Sequence, residues 1–220
     1  MATTTLTATP TTRPVRRAGA WCLAAGIVGA VQAGIVLAWP EQVPEARFSY
    51  PFSSLGFGVA QASFFLQHLP LIAGLAALQR LQAVQASRVA RSGIVAAILG
   101  MALLAVNELI AITAHGAATD SDHATLVENL YGPPTLLIGI GLTVAGAALL
   151  RRGTSAWTGA GWMPALVLFL GVYVFVPLTP AIMGTFTAGR IGIGAWMLGF
   201  AALGYGLIRL TTDANGRIGS

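Results

Sequence analysis

The sequence predicts an all-α membrane protein, a bundle of six transmembrane helices, and three observations carry that prediction. The 220 residues are 55% apolar and only 9% charged, a balance that leaves too little polar surface for a water-soluble domain of this size. The apolar residues gather into six runs of about 20 residues, the length that crosses roughly 30 Å of hydrocarbon. The charges also sort by side. Arg13, Arg16, Arg17, Arg80, Arg88, Arg91, Arg151, Arg152, Arg209 and Arg217 fall on one side of the runs, and Glu41, Glu45, Asp120, Asp122 and Glu128 on the other. Basic residues collect in cytoplasmic segments, so both termini are expected in the cytoplasm and the chain in a bacterial plasma membrane.

Taken in order, residues 1–17 are Thr-rich and end in Arg13-Pro-Val-Arg16-Arg17, which reads as a disordered cytoplasmic tail. Ala18 to Trp39 is too long for a signal-peptide core and is expected to be a retained first span, with Cys22, Gly26, Gly29 and Ala33 forming a small-residue stripe. Pro40 ends it. Phe48-Ser-Tyr50-Pro51-Phe52 in the next connection has the make-up of an interfacial aromatic anchor. Leu55 to Leu78 is the second span, kinked at Pro70 and carrying Gln61, Gln67 and His68, and a basic loop follows it.

The third span runs from Ser92 to about Ala114. In the loop behind it, Ser121 or Asp122 is placed to N-cap a short surface helix. Tyr131-Gly-Pro133-Pro134 opens the fourth span with prolines in the first turn, where missing N–H groups cost little. Gly141, Ala145 and Ala148 form its stripe before Arg151-Arg152. Trp157 to Leu178 is the fifth span, ended by Pro177 and Pro180. Arg190 opens the sixth, which runs to Ile208 with the stripe Ala195, Gly199, Ala202 and Gly206. A single transmembrane domain, 18–210, and a cytoplasmic tail, 211–220, are therefore expected.

The net charge of +5 comes from 12 arginines and no lysine. Topology accounts for it, and nucleic acid is not an expected partner. The single Cys22 excludes an internal disulfide or a CxxC redox pair, and Trp21 before it rules out lipoprotein processing.

One residue breaks the apolar pattern. Glu108 is the only carboxylate inside a span, where insertion scales set its cost at roughly 2.5–3.5 kcal/mol, so something must compensate it. At about 1.5 Å per residue, Glu108 and Asn107 lie about 9–11 Å below the outer surface, Gln61 about 9 Å, Gln32 about 10 Å and Tyr173 about 7 Å. Arg190 enters at the outer interface with a stem long enough to reach toward Glu108, and His68 lies deeper. These residues suit an outward-facing polar pocket for a proton, a cation or another small polar ligand. A set of interhelical hydrogen bonds suits them equally, at ~0.6 kcal/mol each, and His68 alone reads better as a satisfied interhelical histidine.

His115, Asp120, Asp122 and His123 form an H-x4-D-x-D-H cluster of ligand types that suit zinc or another divalent ion, although a solvated loop has the same composition. No cofactor is otherwise expected. Haem b would need two histidines at one depth, whereas His68 and His115 differ by roughly 18 Å on the helical rise. Neither a nucleophile elbow nor HExxH is present.

Phe48-Ser-Tyr-Pro-Phe-Ser-Ser-Leu-Gly-Phe57, Gly171-Val-Tyr-Val-Phe-Val-Pro177 and Gly194-Ala-Trp-Met-Leu-Gly-Phe-Ala-Ala-Leu-Gly-Tyr205 resemble stretches of small six-helix membrane proteins from GC-rich bacteria. The resemblance implies six spans and a plasma-membrane location and brings no catalytic or binding residues with it. Three functions remain open: transport or binding of a small ligand at Glu108, an accessory subunit that meets a membrane-protein partner or a second copy of itself through the small-residue stripes, and an enzyme acting on a lipid-soluble substrate with Glu108 and His68 sharing proton transfer.

Overall fold

The computed structural model describes residues 12–153, 157, 160–175 and 185–216. Its elements are α1 (Thr12–Leu37), α2 (Ser54–Gln79), α3 (Gln82–Gln85), α4 (Arg88–Ala111), a 3-10 turn at Ile112–Ala114, α5 (Asp122–Asn129), α6 (Gly132–Arg151), α7 (Met163–Tyr173) and α8 (Phe186–Gly216). No strand occurs among the described residues beyond one isolated bridge between Arg47 and Ala118. Five stretches, Arg13–Leu37, Ser54–Gln79, Arg88–Ala114, Asp122–Arg151 and Phe186–Thr212, are long and apolar enough to cross a membrane. The sequence-predicted fifth span is described over Met163–Tyr173, and its end, with Pro177 and Pro180, lies outside the described residues.

Local chemistry sets the helix starts. Ser53, Ser87 and Ser121 stand extended before α2, α4 and α5, and their hydroxyls accept from the N–H of Gly56, Ala90 and Ala124 at 3.3, 3.2 and 3.3 Å. Each satisfies one of the orphan donors of a first turn. Pro133 and Pro134 occupy the first turn of α6, as expected. The terminal helices outrun their sequence-predicted spans. α1 begins at Thr12 because Val15, 4% exposed, packs into the core and carries the helix through Arg16 and Arg17. α8 starts four residues before Arg190 and passes Ile208 because Thr211 is buried too.

The long helices close into a ring in which α1 meets α2, α2 meets α4, α4 meets α6, α6 meets α7, α7 meets α8 and α8 returns to α1. Leu71, Leu75, Met101, Leu142, Leu170 and Phe200 are fully enclosed at its centre. The outer faces are equally apolar: Trp21, Val31, Leu55, Leu99, Ile140, Phe169 and Leu198 are each at least 47% exposed. A water-soluble monomer does not present such a surface on every side, and hydrocarbon is the solvent it fits. The chain folds as a helical membrane protein.

Close approach holds the ring together. A Cβ on Gly26 would meet the backbone of Met197 and Ala201, and one on Gly204 would meet the backbone of Gly19 and Leu23. As α1 advances, its contacts on α8 retreat, so the two helices run antiparallel with their backbones nearly touching. Gly93 of α4 and Gly141 of α6 do the same to each other. In lipid, small residues of this kind replace the hydrophobic drive that packs helices in water. The stripes thus spend their surface inside the chain, since Gly199 and Gly206 face Leu170 and Met163 of α7 and Ala145 faces Gly93.

At the acidic end, the two longer connections fold over the ring. Phe48 N–H donates to Ala117 O at 3.1 Å, Thr119 N–H to Ala46 O at 2.9 Å, and the Arg47 guanidinium to Gly116 O at 2.6 Å. Part of the aromatic Phe48–Phe52 segment packs against the helix ends. Phe52, 6% exposed, and Phe57 join Val36, Ala111, Ala114 and Val127 in a second apolar cluster, with Trp39 against Phe52 at 5.3 Å. Burying Phe52 and Phe57 ties the ends of α1, α2 and α4 together.

Gly26→Ala is expected to lower stability by about 1–3 kcal/mol, because its methyl group meets backbone that cannot step aside. Gly34→Ala meets nothing within 4 Å and is expected to change stability by less than about 1 kcal/mol. Unfolding of both variants in mild detergent checks the contrast, and equal effects would contradict close α1–α8 packing.

Candidate functional site

Four elements bring polar side chains together beneath this cap. Glu108 sits in the last turn of α4, Tyr131 is the residue before α6, Gln61 is two turns into α2 and Arg190 is the fifth residue of α8. The Tyr131 hydroxyl donates to Glu108 Oε2 at 3.1 Å. Gln61 lies within hydrogen-bonding reach of the Tyr131 hydroxyl, and the Arg190 guanidinium is near enough to act on Glu108 and Tyr131 through space. Glu108 and Gln61 are 8% and 7% exposed.

Tyr131 is positioned by its neighbour. The Asn107 amide, one residue before Glu108, donates to Leu130 O, so α4 fixes the chain next to the tyrosine that serves its own carboxylate. Arg190 is half-buried and rests over the Phe186 ring, 5.2 Å from its centroid. Phe186 meets Tyr50 edge-on at 5.2 Å, and Tyr50 donates to Glu41 Oε1 at 2.7 Å. A continuous path of contacts thus leads from the polar cluster to the acidic loop.

One acceptor in the cluster is left over. Gln61 Oε1 is enclosed and has no donor among the described residues. Buried polar atoms are nearly always paired, because an unmet one costs on the order of 1–3 kcal/mol. The cluster therefore has spare accepting capacity beside a carboxylate and a guanidinium, an arrangement able to hold a proton, a water molecule or a small polar group that donates.

The other sequence-predicted residues disperse. Gln32 donates to the Ser63 hydroxyl, a separate tie between α1 and α2, and its own Oε1 is also unpaired. Tyr173 stacks beside Phe169 at 5.3 Å on α7 and packs against the main core. His68, 4% exposed, has Nδ1 2.6 Å from Phe64 O one turn back. That contact lies within its own helix.

The expected metal cluster does not assemble. Among the described residues, no group of three His, Cys, Asp or Glu side chains is placed to hold an ion. His115 Nδ1 turns back to Ile112 O at 3.0 Å, and His123 Nε2 meets the Thr113 hydroxyl at 3.2 Å. Ser121 caps α5, which starts at Asp122.

Tyr131 is the site residue that the sequence alone did not single out. Its position before Gly-Pro-Pro marked it only as a helix opening. Its role follows from the antiparallel register of α4 and α6, in which Gly93 meets Gly141 and Gly100 meets Pro134 and Ile138. Continued to the acidic end, that register places Glu108 beside the start of α6, and periodicity within one helix holds no trace of it.

Comparison with protein-family models, curated proteins and solved structures found no match to this chain.

Outside the spans, the Glu41 carboxylate accepting from Tyr50, with the charges of Glu41 and Glu45 nearby, pushes the Tyr50 phenol up to about 12 from its usual 10. The phenol is the hydrogen-bond donor, so losing its proton removes the bond and brings two negative charges together. Titrated by phenolate absorbance against a Tyr50→Phe reference, Tyr50 is expected to be largely neutral at about pH 11 and largely ionised there once Glu41→Gln removes the charge. Identical titrations in the two proteins would contradict the contact.

Proposed function

We propose that this chain is a six-span transport or ligand-binding protein of a bacterial plasma membrane, with both termini in the cytoplasm, and that it takes a proton or a small polar or cationic ligand from the outer side at Glu108. The positive-inside distribution of arginine supports the orientation, and the apolar stretch 157–178, fifth in chain order, supports a count of six spans in place of five. The observation that carries the reading is the polar cluster itself: a buried carboxylate held by Tyr131, with an enclosed, donor-less Gln61 oxygen beside it and Arg190 in electrostatic range.

Magnitudes favour a binding role over a purely structural tie. Interhelical hydrogen bonds in membranes contribute about 0.6 kcal/mol on average, less than the roughly 2.5–3.5 kcal/mol that a mid-span carboxylate costs on insertion scales. A chain selected only for stability gains more from an apolar residue at 108. The accessory-subunit reading relied on small-residue stripes as partner surfaces, and in this fold much of those stripes is consumed between α1, α4, α6, α7 and α8.

The test uses protons as the probe. Purified protein in vesicles carrying an internal pH-sensitive dye is exposed to an inward proton gradient, and its thermal unfolding is followed from mildly acidic to mildly alkaline pH. Glu108→Gln is expected to abolish the Glu108-linked part of the pH dependence of both flux and stability. Profiles that superimpose on those of the parent protein would remove Glu108 from any such role.

A further inference from the structure

The arginine-rich end of the ring holds a second feature, unrelated to Glu108. Ala83, Ala86, Leu149, Arg152, Gly153 and Trp157 line a cleft of about 280 Å³, open on one side. At ~30 Å³ per water, it has room for about nine waters, the size of a phosphoglycerol head and not of a whole lipid. Leu149 and Trp157, 1% and 4% exposed, make an apolar floor, the two alanines of the α3 segment make a wall, and Arg152 stands exposed at the rim.

The charge around this cleft is one-sided. Arg80, Arg88, Arg91 and Arg151 are exposed on the segments that flank it, and every carboxylate between residues 80 and 152 lies in the outer part of α4 or beyond it, toward the opposite end. The C-terminus of α6 opens here and by itself repels an anion with about half an elementary charge. Arg151 and Arg152, in its last turn and cap, carry two full positive charges and reverse the sign. The N-terminus of α4, one residue after Ala86 and Ser87, adds a positive helix end on the other side.

An apolar floor that includes a tryptophan, with a cationic rim above it, defines an amphiphile that is anionic at its head. We propose that this cleft binds the phosphate head of an anionic phospholipid, with the phosphate against Arg152 and the first part of the acyl chains over Leu149 and Trp157. The chemistry shared with free phosphate ends at the rim, and the apolar floor selects the lipid.

The experiment counts phospholipid molecules retained by the purified protein in native mass spectrometry after titration with phosphatidylglycerol, phosphatidylcholine or inorganic phosphate. Arg152→Gln is expected to weaken phosphatidylglycerol retention by about fivefold, the effect of one arginine at a lipid surface. Ala86→Trp, which fills the cleft, is expected to do the same. Arg17→Gln, which removes an equal charge from the far side of the ring, is expected to leave retention unchanged. An equal loss with Arg17→Gln would show diffuse attraction to charge and overturn the site. So would parent-like retention with Ala86→Trp, or inorganic phosphate competing as well as the lipid does.

Discussion

Every polar group within the spans of this fold must find its partner inside the protein, because the flanks of the bundle are apolar on all sides. That requirement explains why the described chain is helical, since a helix satisfies its own backbone in hydrocarbon. It explains the three serine caps, the Cys22 thiol donating to Phe200 O at 3.4 Å, the Trp196 indole donating to Leu170 O at 3.1 Å and the Gln67 amide donating to Ala25 O at 3.0 Å. It also explains the glycine contacts, because a side chain such as Gln67 reaches the α1 backbone only where Gly29 leaves room. The enclosed oxygens that lack a donor stand out against this background. Gln61 Oε1 is among them, on a residue that neighbours Tyr131, the donor to Glu108.

The two ends of the ring are chemically different. At the acidic end, two connections bridge to each other, a second apolar cluster seals the helix ends, and a chain of contacts from Glu41 through Tyr50, Phe186 and Arg190 leads to Glu108. At the other end, the connections are short, exposed and rich in arginine, and the α3 turn leaves a cleft beside the end of α6. The proposed ligand site and the proposed lipid site thus occupy opposite ends and draw on opposite charges.

Much of this was legible in the sequence, and what was not has a physical cause. Helix identity and the starts of α2, α5 and α6 followed from apolar length, the Ser121 cap and the Gly-Pro-Pro opening, all local signals, whereas the Ser53 and Ser87 caps were not read from the sequence. The small-residue stripes were visible, but their partners were not, because a 4, 3, 4 spacing marks a close approach without saying to which helix. Glu108, Gln61 and Arg190 were grouped by depth, from the fixed rise per residue, and the fold brings them near Tyr131. Depth carries no azimuth, so Gln32 and Tyr173 were grouped with them although they point into other contacts. Tyr131 was passed over because its role depends on the register of two helices. The loop histidines and aspartates were grouped by spacing, which does not say where their side chains turn, and His115 and His123 meet Ile112 O and the Thr113 hydroxyl.

The central claim is that the Glu108 cluster can be reached from outside the membrane, and labelling tests it most directly. Cys22 is the only cysteine and is fully buried in the core, so a cysteine introduced by Gln61→Cys reports without background. In intact cells treated with a small, cationic, membrane-impermeant methanethiosulfonate reagent, that cysteine is predicted to react in the folded protein, and faster with Glu108 present than in Glu108→Gln. A cysteine that reacts only after denaturation would contradict the account and leave Glu108 and Tyr131 as a sealed tie between α4 and α6.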